Sequence, residues 1–298
     1  MRRRFAITLP LLLAACGGGS QQAAPPIAPD EVLERMARAA LSALELNQPE
    51  SAARLYARAL TRARERDDPA AIADMGFGQA TAALAHGDAR GALQVAQDVR
   101  QEMERRGRPA TPSLLLVEAT ALHRLGRAAE ADGVAAQVQP MAAEAPEAAR
   151  RAMFLRGLIA AERGDARALN GFRQALGEAD APAYRADVLE LDARAALLRR
   201  DHATARRLAA QSADLRQQAV DYRGLSRALA VQGRAAARMG DRAAGADLLL
   251  RAGRGAAERG ETADARRWLA EAERLARDAR ARRTLAELRE VSATLPRR

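Results

Sequence analysis

A two-part punctuation recurs along this chain and restricts its possible folds more than any other feature. The first mark is a short turn followed by an Ala-rich stretch, as in HGDARGALQVAQDV, RGDARALNGFRQAL and MGDRAAGADLLLRA, with looser versions in LNQPESAARLYARAL, LGRAAEADGVAAQV and RRDHATARRLAAQS. Gly, or Asn47 in the first copy, ends one helix because it tolerates left-handed backbone. Asp88, Asp165, Asp201 and Asp241 are then placed to cap the next helix by accepting from its unpaired backbone N–H groups. The second mark is proline. Asp68-Pro69, Thr111-Pro112, Ala145-Pro146 and Ala181-Pro182 put Pro at a first helical position, where its missing N–H costs nothing. Two alternating helix starts predict a series of antiparallel helical hairpins. Composition agrees: 48% of residues are apolar but only 3% aromatic, most are Ala or Leu, and Arg and Glu complete a strongly helix-forming mixture. No alternating β-branched run predicts a strand, so the expected class is all-α.

Small residues keep one register through the copies. Ala43, Ala83, Leu122, Ala160, Ala196 and Ala236 stand 40, 39, 38, 36 and 40 residues apart near the ends of the first helices. Each is followed by a small residue early in the second helix, such as Ala52, Ala92, Ala131, Ala168, Ala205 and Gly245. Paired helices approach closely only where side chains are small. This pattern resembles the tetratricopeptide repeat over roughly residues 31–278, and the resemblance implies an α-solenoid of about six or seven antiparallel hairpins. The spacing is longer than the family's 34 residues, and the family's Trp is missing from the first helices. An unrelated Ala-rich bundle is the competing architecture. Gly253, Gly260 and Ala265 also fit the register, so the helix near 242–259 is expected to serve two pairs. The last helix, near 280–294, is expected to act as a polar terminal cap.

No catalytic or metal-binding constellation is visible. His86, His123 and His202 are scattered, with no pair at helical metal-ligand spacing. Gly17-Gly18-Gly19 has no strand before it and no phosphate-loop pattern after it. The abundant acids lie beside arginines at surface-pair spacing. Neither enzyme activity nor a cofactor is expected. What remains is surface. In tetratricopeptide arrays the first helices line a concave groove that takes peptides, and the resemblance implies groove positions at Ser113, Leu116, Thr120, His123, Arg124, Phe154, Leu158, Glu162, Glu190, Arg194, Leu197, Arg227, Arg234 and Arg238. That groove is expected to be mixed in its early part and basic in its late part. Arg grips carboxylates with a planar fork, so the expected ligand is a protein or peptide partner, an acidic segment or a chain terminus.

The start of the chain carries a different signal. Met1-Arg2-Arg3-Arg4 is a basic segment, and Phe5 to Leu13 is too short for a spanning helix, which needs about 20 apolar residues. Leu13-Ala14-Ala15-Cys16 resembles the lipobox of bacterial lipoproteins. The resemblance implies cleavage of residues 1–15, diacylglyceryl attachment to Cys16 and further acylation with palmitate-like chains, with Gly17 favouring the outer membrane, periplasmic side. A secreted chain whose cysteine merely follows the apolar segment is the alternative. Cys16 is the only cysteine, which excludes an internal disulfide. Residues 16–30, rich in Gly, Gln, Ala and Pro, read as a tether, and Asp30 as a cap for the first helix.

Charge is uneven. The chain carries +10 overall and no lysine. Residues 199–298 hold 23 arginines against 13 acids, a net of +10. Codon bias explains this without function, and an acidic partner explains it with one. Nucleic acid is not expected as a partner, because stacking aromatics are nearly absent. These readings predict a lipid-anchored envelope scaffold, in assembly, pilus or secretion biogenesis, or cell-wall regulation. The alternative is an accessory lipoprotein that holds anionic envelope polysaccharide with its Arg-rich third.

Overall fold

The computed structural model describes residues 28–178 and 180–296. The expectations for Cys16 and the rest of residues 1–27 lie outside the described residues. From Glu31 on, the chain packs as one compact unit built of seven hairpins. In order these are α1 (Glu31–Glu45) with α2 (Pro49–Glu65), α3 (Pro69–His86) with α4 (Ala89–Arg105), α5 (Pro112–Arg124) with α6 (Ala128–Val138), and α7 (Pro146–Glu162) with α8 (Ala166–Leu176). Then come α9 (Pro182–Leu198) with α10 (His202–Gln218), α11 (Tyr222–Arg238) with α12 (Arg242–Glu258), and α13 (Thr262–Asp278) with α14 (Arg282–Ala293). One 3₁₀ turn at Gln139–Met141 interrupts the path from α6 to α7. No strand occurs among the described residues, and none of their helices is long and apolar enough to cross a membrane.

The local punctuation forms as its chemistry requires. Asp88, Asp165, Asp201 and Asp241 each accept from the backbone N–H three residues on, at 2.8, 2.9, 3.1 and 3.0 Å. Pro49, Pro69, Pro112, Pro146 and Pro182 occupy first positions of helices. The proline rule is not uniform, since Pro49 opens a second helix, and α11 and α13 start without proline after Asp221 and Glu261. Each turn from an odd to an even helix passes through one left-handed residue: Asn47, Gly87, Gly126, Gly164, Arg200, Gly240 and Arg280. The seventh of these, Arg280, extends the register by another 40 residues. The helix near 242–259 is therefore α12, second member of the sixth hairpin, and it packs between α11 and α13 with α14 alongside. The last helix is the second half of a seventh hairpin and buries only Thr284 and Leu288.

Small residues set the spacing inside hairpins. Ala40, Ala52, Ala59, Ala80, Ala92, Ala96, Ala119, Ala131 and Ala135 are fully buried. In the sixth hairpin a Cβ on Gly233 would fall 2.9 Å from the Gly245 carbonyl oxygen, so α11 and α12 approach backbone to backbone. The odd helices α1 to α11 each touch the next odd helix and so form one layer. Each even helix from α2 to α12 packs against the odd helices before and after it. The array also returns on itself: a Cβ on Gly87, in the α3–α4 turn, would lie 3.0 Å from the Arg259 carbonyl oxygen in the α12–α13 turn. The α3–α4 turn thus lies against the α12–α13 turn, and Gly260 faces the His86 carbonyl from the other side of this contact.

Candidate functional site

The chemistry of the inner layer gathers around Glu190 of α9, whose side chain is fully buried. Three guanidiniums converge on its carboxylate. Arg227 of α11 donates from Nε and Nη2 at 3.0 and 3.1 Å. Arg194, one turn along α9, donates at 2.9 Å. Arg216 arrives from α10 at 2.9 Å and also reaches Asp187 at 2.7 Å and Asp221. Burial alone would raise the Glu190 pKa; the Arg227, Arg194 and Arg216 charges overcome it and hold the carboxyl well below the usual range. The same carboxylate raises Arg227 despite burial. Phe154 of α7 packs near two of these cations, its ring centre 5.7 Å from the Arg216 guanidinium carbon and 5.5 Å from that of Arg227. Such contacts add stabilisation when desolvated.

A second group adjoins this one. His123 Nε2 of α5 lies 3.0 Å from a carboxylate oxygen of Glu162, at the end of α7. Burial pushes Glu162 up, but the His123 hydrogen bond and charge, with Arg194 and Arg267, bring it down to about 2. Arg267 belongs to α13, so the curl of the array brings that helix's charge to the end of α7. Farther along, Arg234 of α11 grips Glu271 of α13 through two bonds of 2.8 and 2.6 Å. Side chains from α5, α7, α9, α11 and α13 therefore meet on one inner surface.

Among the residues expected in the groove, His123, Phe154, Glu162, Arg194 and Arg227 are brought together. Glu190 is there too, but as a core anion beneath the surface. Leu158 is buried at 4% exposure and belongs to the core. Arg124 turns away to donate to the Leu84 carbonyl at 2.6 Å. Arg238 is exposed at the turn before α12. The expected late basic stripe is corrected by these pairings: Arg227 and Arg234 are both held by carboxylates of the neighbouring odd helix. The physical reason is reach. An arginine on one odd helix spans to the next, where residues 37 positions away stand alongside. Arg216, Asp187, Glu271 and Arg267 escaped the family register because Arg216 sits on an even helix and the others lie outside the groove positions. The spacing of 37 from Arg234 to Glu271 was the signal available.

Among the described residues no group of three or more His, Cys, Asp or Glu is arranged to hold a metal. His86 is exposed at its turn, and His202 stands at the start of α10 with its Nδ1 buried.

No family model matches the chain, and no curated protein matches it in sequence. Solved structures do match in shape. A tetratricopeptide repeat protein from Parabacteroides merdae is similar over 87% of this chain and 99% of its own, at 14% identity and a TM-score of 0.51. BtubC (BKLC) from P. vanneervenii matches over 77% of this chain and 92% of its own, at 17% identity and a TM-score of 0.46. The TPR2AB-domain:pHSP90 complex of yeast Sti1 matches over 81% and 98%, at 13% identity and a TM-score of 0.31. The likeness to the Parabacteroides protein is one of fold: this chain is an all-α, tetratricopeptide-like solenoid of antiparallel hairpins.

Proposed function

We propose that this chain is a lipid-anchored scaffold of a bacterial cell envelope that binds a polypeptide segment of another protein along its inner face. The observation that carries the reading is the gathering of four odd helices, α5, α7, α9 and α11, where buried Glu190 holds Arg194 and Arg227, Phe154 packs against Arg227, and His123 pairs with Glu162. Ordering these side chains in advance lowers the entropy that binding would otherwise cost. Arg194 and Arg227 bond Glu190 through Nε and Nη2, which leaves Nη1 of each for a carbonyl or carboxylate of the incoming segment. The inner arginines are nearly neutralised by their own acids, so the segment reads as one with acceptors beside an apolar side chain for Phe154, with acidic groups secondary. Support for the anchor is the Leu13-Ala14-Ala15-Cys16 pattern, and Gly17 after it favours attachment at the outer membrane, facing the periplasm.

Crosslinking in intact cells, purification and mass spectrometry should recover one protein partner. Phe154→Ala with His123→Ala should weaken its binding at least about tenfold with helicity unchanged. Undiminished capture by that variant would sink the inner-face reading, and retention of anionic glycan without any protein would favour the polysaccharide alternative. For the anchor, Cys16→Ser should release the protein from the membrane fraction. An unmodified Cys16 in the mass spectrum would end that part of the proposal.

A further inference from the structure

Hairpin topology puts every turn after an odd helix on one edge of the array. Two neighbouring turns on that edge, 40 residues apart, have an unusual composition. Before Asp201 stand Leu198, Arg199 and Arg200; around Asp241 stand Arg238, Met239 and Arg242. All six are exposed. Leu198 and Met239, at 37% and 48%, are two of the six large apolar side chains exposed among the described residues. The four arginines behave unlike those of the inner face. None makes an ion pair among the described residues, and the acids beside them, Asp201 and Asp241, bind the N–H groups of Thr204 and Ala244. Arg200 also occupies the left-handed position, at φ 63°, that Gly126, Gly164 and Gly240 hold in the equivalent turns. A glycine would relieve that backbone, so the turn carries a positive side chain at its tip where the fold does not ask for one.

We propose that this edge docks on the surface of an anionic phospholipid bilayer. Headgroup phosphates match the unpaired guanidiniums, and the interfacial zone accepts the apolar ends of Leu198 and Met239. A soluble polyanion would satisfy only the arginines and leave Leu and Met in water. The opposite edge does not combine the two features: Val220 and Tyr222 are exposed there beside Arg223 and Arg259, which are both paired with Glu261, and the exposed Arg105 and Arg108 of the α4–α5 turn have no exposed large apolar side chain in their turn. Docking through the two turns needs no lipid on Cys16, and together with such an anchor it would orient the inner face relative to the membrane.

The test uses the full chain carrying Cys16→Ser, so that lipidation contributes nothing and failure of the anchor reading leaves the result unaffected. Sedimentation with phosphatidylglycerol–phosphatidylcholine vesicles should carry the protein down, and added salt should weaken the association. Vesicles of phosphatidylcholine alone should leave it in the supernatant. Replacing Arg199, Arg200, Arg238 and Arg242 by Gln should weaken anionic-vesicle binding by at least about a hundredfold, each contact being worth roughly a factor of five. Replacing Leu198 and Met239 by Ser should weaken it several-fold with the salt dependence unchanged, and should not alter binding to dextran sulfate. Vesicle binding undiminished by the four Gln substitutions would overturn the proposal. So would equal binding to dextran sulfate and vesicles with no effect of the Ser pair, which would make the edge a soluble-polyanion site.

Discussion

Replacing Glu190 by Gln keeps the shape of the side chain and removes its charge, and the structure specifies who loses. Arg216 retains Asp187 at 2.7 Å and Asp221. Arg227 and Arg194 have no hydrogen-bonded carboxylate other than Glu190 among the described residues, and their side chains are only 19% and 11% exposed. Hydrogen bonds to a charged group contribute about 1.5–3 kcal/mol each, and Gln keeps one acceptor oxygen but turns an amide N–H toward the guanidiniums, so at least one such bond is lost. Three guanidiniums facing one another without the anion add repulsion. The expected loss is about 3–5 kcal/mol, the range for breaking a buried ion pair, and a large fraction of a domain's stability of about 5–15 kcal/mol. Urea unfolding followed by helical circular dichroism at neutral pH measures it. Adding Arg227→Met to Glu190→Gln should recover at least about 1 kcal/mol, because one uncompensated charge disappears and its aliphatic stem is kept. A loss below about 1 kcal/mol, or strictly additive single changes, would refute the account of Glu190 as the anion that organises the inner face.

The acid limb of stability should follow the same groups. Glu162 is held to about 2 and Glu190 is also depressed, both below the unfolded value of about 4.3, so their contribution is fully present above that value and is lost as pH falls through it toward about 2; Glu162→Gln should flatten the pH dependence of the melting temperature below about pH 4.5, and an unchanged profile would contradict the pairing with His123. Gly233→Ala should destabilise by about 1–3 kcal/mol through the Cβ that would sit 2.9 Å from the Gly245 carbonyl oxygen, even though Ala is the better helix former by about 1 kcal/mol; a gain in chemical denaturation would show that α11 and α12 do not meet this closely. Arg200→Gly should stabilise the fold by about 0.5–1 kcal/mol by relieving a left-handed arginine while weakening attachment to anionic vesicles, and thermal denaturation beside vesicle sedimentation separates the two effects.

The amino-acid sequence alone determined what depends on neighbours a few residues away. Asp caps, first-turn prolines and turn glycines act through backbone groups within one helical turn, so helix starts, hairpin order and the repeat spacing were readable from residue type and position. The register was readable as well, because small residues must recur wherever two helices touch. Even the seventh hairpin lay within that register, at Arg280, hidden because an arginine holds the position taken elsewhere by glycine. Tertiary structure decided which charges are available. Arg227 and Arg234 look like free groove cations in the sequence, yet Glu190 and Glu271 stand across from them because successive odd helices pack side by side, 37 residues apart in the chain. Glu190 reads as a surface acid on a mixed helix, and only the packing that brings Arg227 from α11 and Arg216 from α10 beside Arg194 makes it a buried anion. The curl that sets Gly87 against Arg259 and brings Arg267 near Glu162 sums small rotations at each hairpin interface, and those rotations depend on how whole helices pack. Local hydrogen bonding is written residue by residue, whereas curvature and charge pairing are properties of the assembled layers.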